Sequence, residues 1–179
     1  AFAAIGSMGL VFLGVAAFTP AATVAALYYL IHSTLAGAAL FLVADLAGRN
    51  VRSGPVAVLF MASAVAVAGL PPLSGFLGKI LLLQSLAGQA PLIWSAVLLA
   101  SFLTVVGFAL TGSARFWKAR ATAPAAVEPL ALAATALLLA GLVAITVLAG
   151  PLTVWLQTVA QGLADPAPYI AATAPQSGG

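Results

Sequence analysis

The chain has 179 residues, of which 64% are hydrophobic and only 5% are charged, and its mean hydropathy is +1.20. No water-soluble domain can bury that much apolar surface, so the composition excludes a soluble fold and indicates an integral membrane protein. The net charge of +3 is not gathered into dense basic runs, and there is no cysteine. We therefore expect no nucleic-acid partner, no disulfide, no metal site and no cofactor.

Two apolar segments open the chain. The first covers residues 2–18 and ends at Thr19-Pro20, and the second covers about 21–47 and ends in a loop rich in glycine, proline and charge. At ~1.5 Å per residue, each is long enough to cross the hydrocarbon layer as a helix. The sequence therefore predicts two transmembrane spans here.

The third segment, about 55–87, is interrupted between Gly69 and Gly75, where Pro71 and Pro72 follow one another. Two adjacent prolines remove two backbone donors, so we predict that the helix breaks there. Irregular backbone inside a membrane survives only where protein or water satisfies it, which favours a functional break. The alternative is that the prolines merely kink a packed helix.

A fourth span is predicted over about 92–114, and a fifth over about 128–149 with a kinked extension, 152–164. The remaining residues, 165–179, are small and polar, and we expect a weakly ordered tail. The predicted fold is therefore all-α: a polytopic bundle of five transmembrane spans within residues 1–164, with the third span broken.

The basic residues predict the orientation of the bundle. If the broken segment crosses once, the loops after the second and fourth spans lie on one side, and the turns at 19–21 and 88–91, which carry no charge, lie on the other. Those two loops carry Arg49, Arg52, Arg115, Lys118 and Arg120. Because basic loops face the cytoplasm, we expect this side to be cytoplasmic and the C-terminus to lie outside.

Lys79 follows the predicted break, about nine residues before the outer end of its segment, so it lies roughly 13 Å inside the boundary by helix rise. A lysine at the bilayer centre costs ~2.5–3.5 kcal/mol on insertion scales, and such residues usually face a bundle interior and move protons or ions. The alternative is an ammonium that reaches along its stem to the outer headgroups. We select Lys79 as the main candidate proton relay.

His32 lies near the middle of the second span and is the second candidate relay, because imidazole titrates near neutral pH. A structural histidine, hydrogen-bonded to a neighbour, explains its presence equally well. Several nearby hydroxyls could line a hydrated path or simply satisfy His32. These are Tyr28, Ser33, Thr34 and, beyond the prolines, Ser74.

Several stretches carry a family resemblance: residues 28–35 and 39–42, the run Ala-Gly-Leu-Pro-Pro-Leu-Ser-Gly-Phe-Leu-Gly-Lys at 68–79, Phe116-Trp117, and 149–152. Together they resemble the antiporter-like subunits shared by respiratory complex I and Mrp-type multisubunit cation/proton antiporters. The sequence of the proline motif looks most like that of the Mrp D subunit. The resemblance implies that the chain corresponds to the C-terminal third of a longer subunit.

The resemblance also implies roles for individual residues. In the family, a lysine or glutamate on the broken helix passes protons to the outside half-channel, and Lys79 occupies that position. His32 matches a histidine of the preceding helix. Ser33 stands where many relatives have another histidine, and Gly37 stands where many have a lysine. The implied proton path therefore has fewer titratable side chains.

The implied function is that of a membrane subunit of an Na⁺ or K⁺/proton antiporter in a bacterial inner membrane, assembled with other membrane subunits. Such a subunit is a secondary transporter component and not an enzyme. The alternative is a proton-pumping subunit of complex I or of a membrane hydrogenase, which would belong to a redox enzyme. A helical scaffold without a transport role is the third possibility.

Overall fold

The computed structural model describes residues 2–48, 54–87, 91–114, 128–165 and 167–173. Within these ranges the regular secondary structure is entirely helical, which confirms the predicted all-α class. The eight helices are α1 (Phe2–Ala16), α2 (Pro20–Gly48), α3 (Gly54–Ala68), α4 (Ser74–Ser85), α5 (Pro91–Gly112), α6 (Pro129–Val147), α7 (Ala149–Ala164) and α8 (Ala167–Thr173).

Three of these helices, α2, α5 and α6, are long and apolar enough to cross a membrane, with 29, 22 and 19 residues. Helices α1 and α3 are also apolar but have 15 residues each. The outer surface of α5 is strongly apolar and carries Leu92, Leu98, Leu99, Phe102, Leu103 and Leu110. Such a surface is suited to lipid or to other membrane helices. The count of five spans stays a prediction.

Helix α2 is the centre of the bundle, because α1, α3, α4, α6 and α7 all pack against it. Its buried side chains include Tyr28, Tyr29 and His32. A helix that is apolar around most of its circumference is expected to lie in the interior of a bundle. Four of the candidate site residues, Tyr28, His32, Ser33 and Thr34, lie on this helix.

Glycines allow the closest approaches between helices. A Cβ atom on Gly14 of α1 would lie 2.8 Å from Leu82 Cδ1 and 2.9 Å from the Ala26 Cβ atom. A Cβ atom on Gly78 of α4 would lie 2.9 Å from the Tyr29 ring. Small residues at such crossings let membrane helices pack backbone against side chain without the hydrophobic drive available in water.

The broken segment forms two helices, α3 and α4, joined by residues 69–73. The interruption is shorter than the Gly69–Gly75 range expected from the sequence, because Ser74 and Gly75 already lie in the first turn of α4. The Pro71–Pro72 peptide bond is cis. The backbone groups of this connection therefore need hydrogen-bond partners other than those of a regular helix.

The C-terminal part differs from the predicted boundaries in two places. The junction between α6 and α7 falls at Leu148, and Gly150-Pro151 lies in the first turn of α7. Proline is tolerated there because the first-turn N–H groups have no helical acceptor. Helix α8 lies within the segment 165–179, for which a weakly ordered tail was predicted.

The residues that predict the orientation lie outside the described ranges. These are Arg49, Arg52, Arg115, Lys118 and Arg120. The cytoplasmic side of the bundle therefore stays a prediction from charge.

The crossing at Gly14 can be tested by Gly14→Ala. The added methyl group would meet Leu82 and Ala26, so we expect a loss of about 1–3 kcal/mol in the free energy of unfolding, as for other overpacked sites. Gly9→Ala on the same helix is the control, because a Cβ atom there has no neighbour within 4 Å. Thermal unfolding of the purified, assembled protein measures both, and equal midpoints for the two variants would contradict the close crossing.

Candidate functional site

The end of α3 is closed by a glycine cap. Gly69 has a φ of 70°, its N–H donates to the Ala66 carbonyl at 3.1 Å, and the Leu70 N–H donates to the Val65 carbonyl at 3.1 Å. These two bonds form a Schellman motif, in which glycine supplies the left-handed conformation. The cap satisfies two carbonyls of the last turn of α3.

The next two carbonyls, those of Val67 and Ala68, lack their helical partners. In a continuous helix they would accept from the N–H groups of residues 71 and 72, and both of those residues are prolines. A buried carbonyl without a hydrogen bond is energetically unfavourable in an apolar environment. The sequence of the break therefore creates strong acceptors at the end of α3.

Lys79 supplies a donor to one of these acceptors. Its Nζ donates to the Ala68 carbonyl at 2.7 Å and to Ser101 Oγ of α5 at 2.9 Å. The C-terminal end of a helix carries partial negative charge, which stabilises a nearby cation. The lysine side chain thus turns back from α4 onto the end of α3 and reaches across to α5.

Gly69 is constrained by this lysine as well as by its own backbone. A Cβ atom on Gly69 would lie 2.8 Å from Lys79 Nζ and 2.9 Å from both Cδ and Cε. The lysine stem therefore packs directly over the glycine. Positive φ and the lack of a side chain are both needed at this position.

His32 makes the second connection across the break. Its Nδ1 lies 2.9 Å from Ser74 Oγ, at the start of α4, and the Ala66 carbonyl near the end of α3 accepts a hydrogen bond from the ring. The side chain is 1% exposed. His32 therefore links α2 to both halves of the broken segment.

Gly75 lies beside both His32 and the Ala66 carbonyl. A Cβ atom built on Gly75 would lie 2.7 Å from His32 Nε2 and 2.6 Å from the Ala66 carbonyl oxygen. With its hydrogen on Nε2, the ring would donate to this carbonyl, which can only accept, and Nδ1 would accept from the Ser74 hydroxyl. Gly75 leaves room for this pairing.

A cavity of about 660 Å³ lies between α1 and α5, with α2, α3 and α4 contributing to its wall. Its lining is mainly apolar. The polar side chains include Lys79 and Ser101, together with Ser7, Thr104 and Thr111. The Lys79–Ser101 contact is therefore part of a cavity wall, whereas His32 is enclosed between helices.

The other predicted lining residues lie elsewhere. The Tyr28 hydroxyl donates to the Ile145 carbonyl of α6 at 3.4 Å. Ser33 and Thr34 both donate to the Leu30 carbonyl of their own helix, and Thr34 is exposed. The structure thus places Ser74 beside His32, and places Tyr28 against a different helix.

Sequence reasoning missed Ser101. The available signal was a set of hydroxyls at helical spacing on α5, in which Ser101 and Thr104 are three residues apart and Thr111 lies two turns further on. Such a stripe in an otherwise apolar span indicates a polar face. Only the position of Lys79 shows which of these hydroxyls has a charged partner.

Comparison with known proteins finds relatives among membrane transport and respiratory subunits. No protein-family model matches the sequence. The D subunit of the Na(+)/H(+) antiporter of Bacillus subtilis (strain 168) is 34% identical over 115 residues, which cover 57% of this chain and 23% of the relative. The N subunit of the NADH-quinone oxidoreductase of Hydrogenovibrio crunogenus is 30% identical over 122 residues, covering 60% and 25%. The chain is therefore similar to both kinds of subunit.

A second Na(+)/H(+) antiporter D subunit, from Alkalihalophilus pseudofirmus, is 32% identical over 127 residues, covering 63% of this chain and 26% of the relative. The predicted resemblance is therefore confirmed. The chain spans about a quarter of the length of the curated relatives it matches.

The packing of Lys79 over Gly69 can be tested by Gly69→Ala. The substitution forces a side chain into a left-handed conformation, at about 1–2 kcal/mol, and into contact with the lysine stem. We expect lower thermal stability than in Gly54→Ala, the control at the start of α3, where a Cβ atom has no neighbour within 4 Å. A Gly69→Ala variant as stable as the control would contradict the described end of α3.

Proposed function

We propose that this chain is a membrane subunit of a multisubunit Na⁺ or K⁺/proton antiporter, in which Lys79 takes up and releases protons on the exit side. The observation that carries the proposal is the hydrogen bonding of Lys79 Nζ to the carbonyl of Ala68 at the wall of the cavity. Homology to the D subunits of Na(+)/H(+) antiporters supports the transport class.

The partners of Lys79 suit a group that changes its charge. Both acceptors of its hydrogen bonds, the Ala68 carbonyl and the Ser101 hydroxyl, are neutral. A buried lysine paired to a carboxylate would leave an uncompensated anion when it lost its proton, which is strongly unfavourable. Neutral oxygens tolerate both the ammonium and the amine, so a proton can leave Lys79 without stranding a charge.

The same contacts argue against the two structural alternatives. A lysine that reached for the headgroups would extend toward the end of α4, away from the helix break. Lys79 instead binds Ala68, which precedes the break. A scaffold would require only a hydrogen-bond donor for the Ala68 carbonyl, which a neutral polar side chain supplies without the cost of burying a charge.

His32 is proposed as the next relay. It and Lys79 bond to carbonyls two residues apart in α3, those of Ala66 and Ala68. Imidazole can accept a proton on one nitrogen and release one from the other, and Ser74 can rotate its hydroxyl to follow. The last turn of α3 would then carry both relays on its backbone carbonyls.

The surroundings follow from the same proposal. We place the chain in a bacterial inner membrane, with the basic loops cytoplasmic and the C-terminus outside. The exposed apolar surface of α5 is suited to other membrane subunits or to lipid. The transported cation would follow a path completed by those partners.

A second candidate is a proton-pumping subunit of a quinone oxidoreductase, because relatives named as N subunits of NADH-quinone oxidoreductases match at similar identity. The two functions differ in what drives proton movement. Purified complex that oxidises NADH and acidifies vesicles with quinone present would favour this candidate. Exchange of Na⁺ or K⁺ for protons without any reductant favours the antiporter.

The central test is Lys79→Ala in the assembled complex, reconstituted in vesicles. We expect the initial rate of cation-dependent proton movement to fall about tenfold or more, because removing a proton-transfer group usually has at least that effect. Gln84→Ala, further along α4, is the control and should keep its rate. Full transport by a normally assembled Lys79→Ala complex would leave only the scaffold role.

A further inference from the structure

The Lys79 ammonium is held at two of its three hydrogens. One points to the Ala68 carbonyl at 2.7 Å and one to Ser101 Oγ at 2.9 Å. Lys79 also lines the cavity between α1 and α5. These two bonds use two of the three hydrogens, and the third remains for exchange.

Ser101 can serve Lys79 only as an acceptor. Its own hydroxyl hydrogen is donated to the Val97 carbonyl, four residues earlier in α5, at 2.8 Å. A hydroxyl has one hydrogen and two lone pairs, so the lone pairs remain for the lysine. The bond to Val97 also fixes the rotamer of Ser101, which places the acceptor at a set position on α5.

The same two bonds survive a change of protonation state. An ammonium has three N–H groups, and a neutral amine has two N–H groups and one lone pair. Two N–H groups are enough to keep both Ala68 and Ser101 bonded. The position that alternates between a hydrogen and a lone pair is then the third one, on a side chain that lines the cavity.

From this arrangement we infer that Ser101 is a positioning residue for proton exchange at Lys79. Together with the Ala68 carbonyl it forms a two-point clamp that presents the exchangeable position of Nζ to the cavity in both charge states. The inference rests on the proposed proton-relay function of Lys79 and adds a residue on a different helix to it. Without Ser101, the side chain is held at one point and rotates about that bond.

The hydroxyl of Ser101 is distinguished from its neighbours on α5. Ser95 and Thr104 also donate to carbonyls one turn earlier, those of Pro91 and Ala100, but their side-chain bonds are exposed. Neither contacts a cation in the described part of the chain. Ser95 therefore offers a matched control: the same residue type, on the same helix, with the same backbone bond.

The experiment compares Ser101→Ala, Ser101→Thr and Ser95→Ala in the assembled complex, with proton movement in vesicles as the readout. We expect Ser101→Ala to lower the initial rate about three- to tenfold, the effect of losing one hydrogen bond. Threonine keeps a hydroxyl that bonds the preceding turn, so Ser101→Thr should stay within about twofold of the native rate. Ser95→Ala should match the native protein.

A fourth variant, Ser101→Cys, distinguishes the loss of the hydrogen-bond acceptor from impaired assembly of the complex. A thiol is a weaker acceptor than a hydroxyl, so its rate should fall between those of the alanine and threonine variants. Rates are compared per amount of intact complex, measured by copurification of the partner subunits. Rates that do not follow acceptor strength, or a native rate in Ser101→Ala, overturn the positioning role.

The outcome separates this inference from the proposed function. If Lys79→Ala abolishes transport and the Ser101 variants all behave alike, the proton relay stands and the clamp is wrong. If Lys79→Ala transports normally, the relay itself is wrong, whatever the Ser101 variants show.

Discussion

The architecture of the site depends on two backbone carbonyls that lose their donors inside an apolar bundle. Pro71 and Pro72 follow α3 at the positions whose N–H groups would otherwise pair with Val67 and Ala68. Lipid cannot replace these donors, so other protein groups or water in a cavity must. Lys79 meets one of these carbonyls, and His32 bonds the Ala66 carbonyl just before them. The break is thus the reason that a cation has a place here.

Glycine determines how closely the surrounding elements approach that end of α3. Gly69 provides the left-handed turn and lies beneath the lysine stem, and Gly75 leaves room between the Ala66 carbonyl and His32. Gly78 brings α4 onto the tyrosines of α2. Because these glycines have no side chain, α2, α3 and α4 can make close, defined contacts around the interrupted helix. The polar groups at the centre are held by packing against an otherwise apolar bundle.

The sequence predicted the class of the fold well, because hydrophobic length and the absence of charge determine where membrane helices form. It also selected Lys79 and His32, since a titratable group in an apolar span is conspicuous without a structure. It did not predict the partners of those groups. The contact of Lys79 with Ser101 joins residues that are 22 positions apart in the chain, and helical periodicity carries no information about which faces meet.

The start positions of helices near proline also differ from those expected from the sequence. Ser74 and Gly75 are helical although they follow two prolines, because the residues after a proline are free to start a helix. Gly150-Pro151 likewise begins α7, after a junction at Leu148. In both places the composition indicates an interruption, and the backbone hydrogen bonding determines where the next helix begins. Ser74 gains its importance from being the first residue of α4, where it meets His32.

The bonding of Lys79 to the end of α3 is tested most directly by an experimental structure of the assembled complex, at a resolution that shows side chains. We predict Nζ at hydrogen-bond distance from the Ala68 carbonyl, with the lysine stem packed over Gly69. A Lys79 side chain extended along α4 toward the headgroups, with the Ala68 carbonyl bonded to another group, would contradict it.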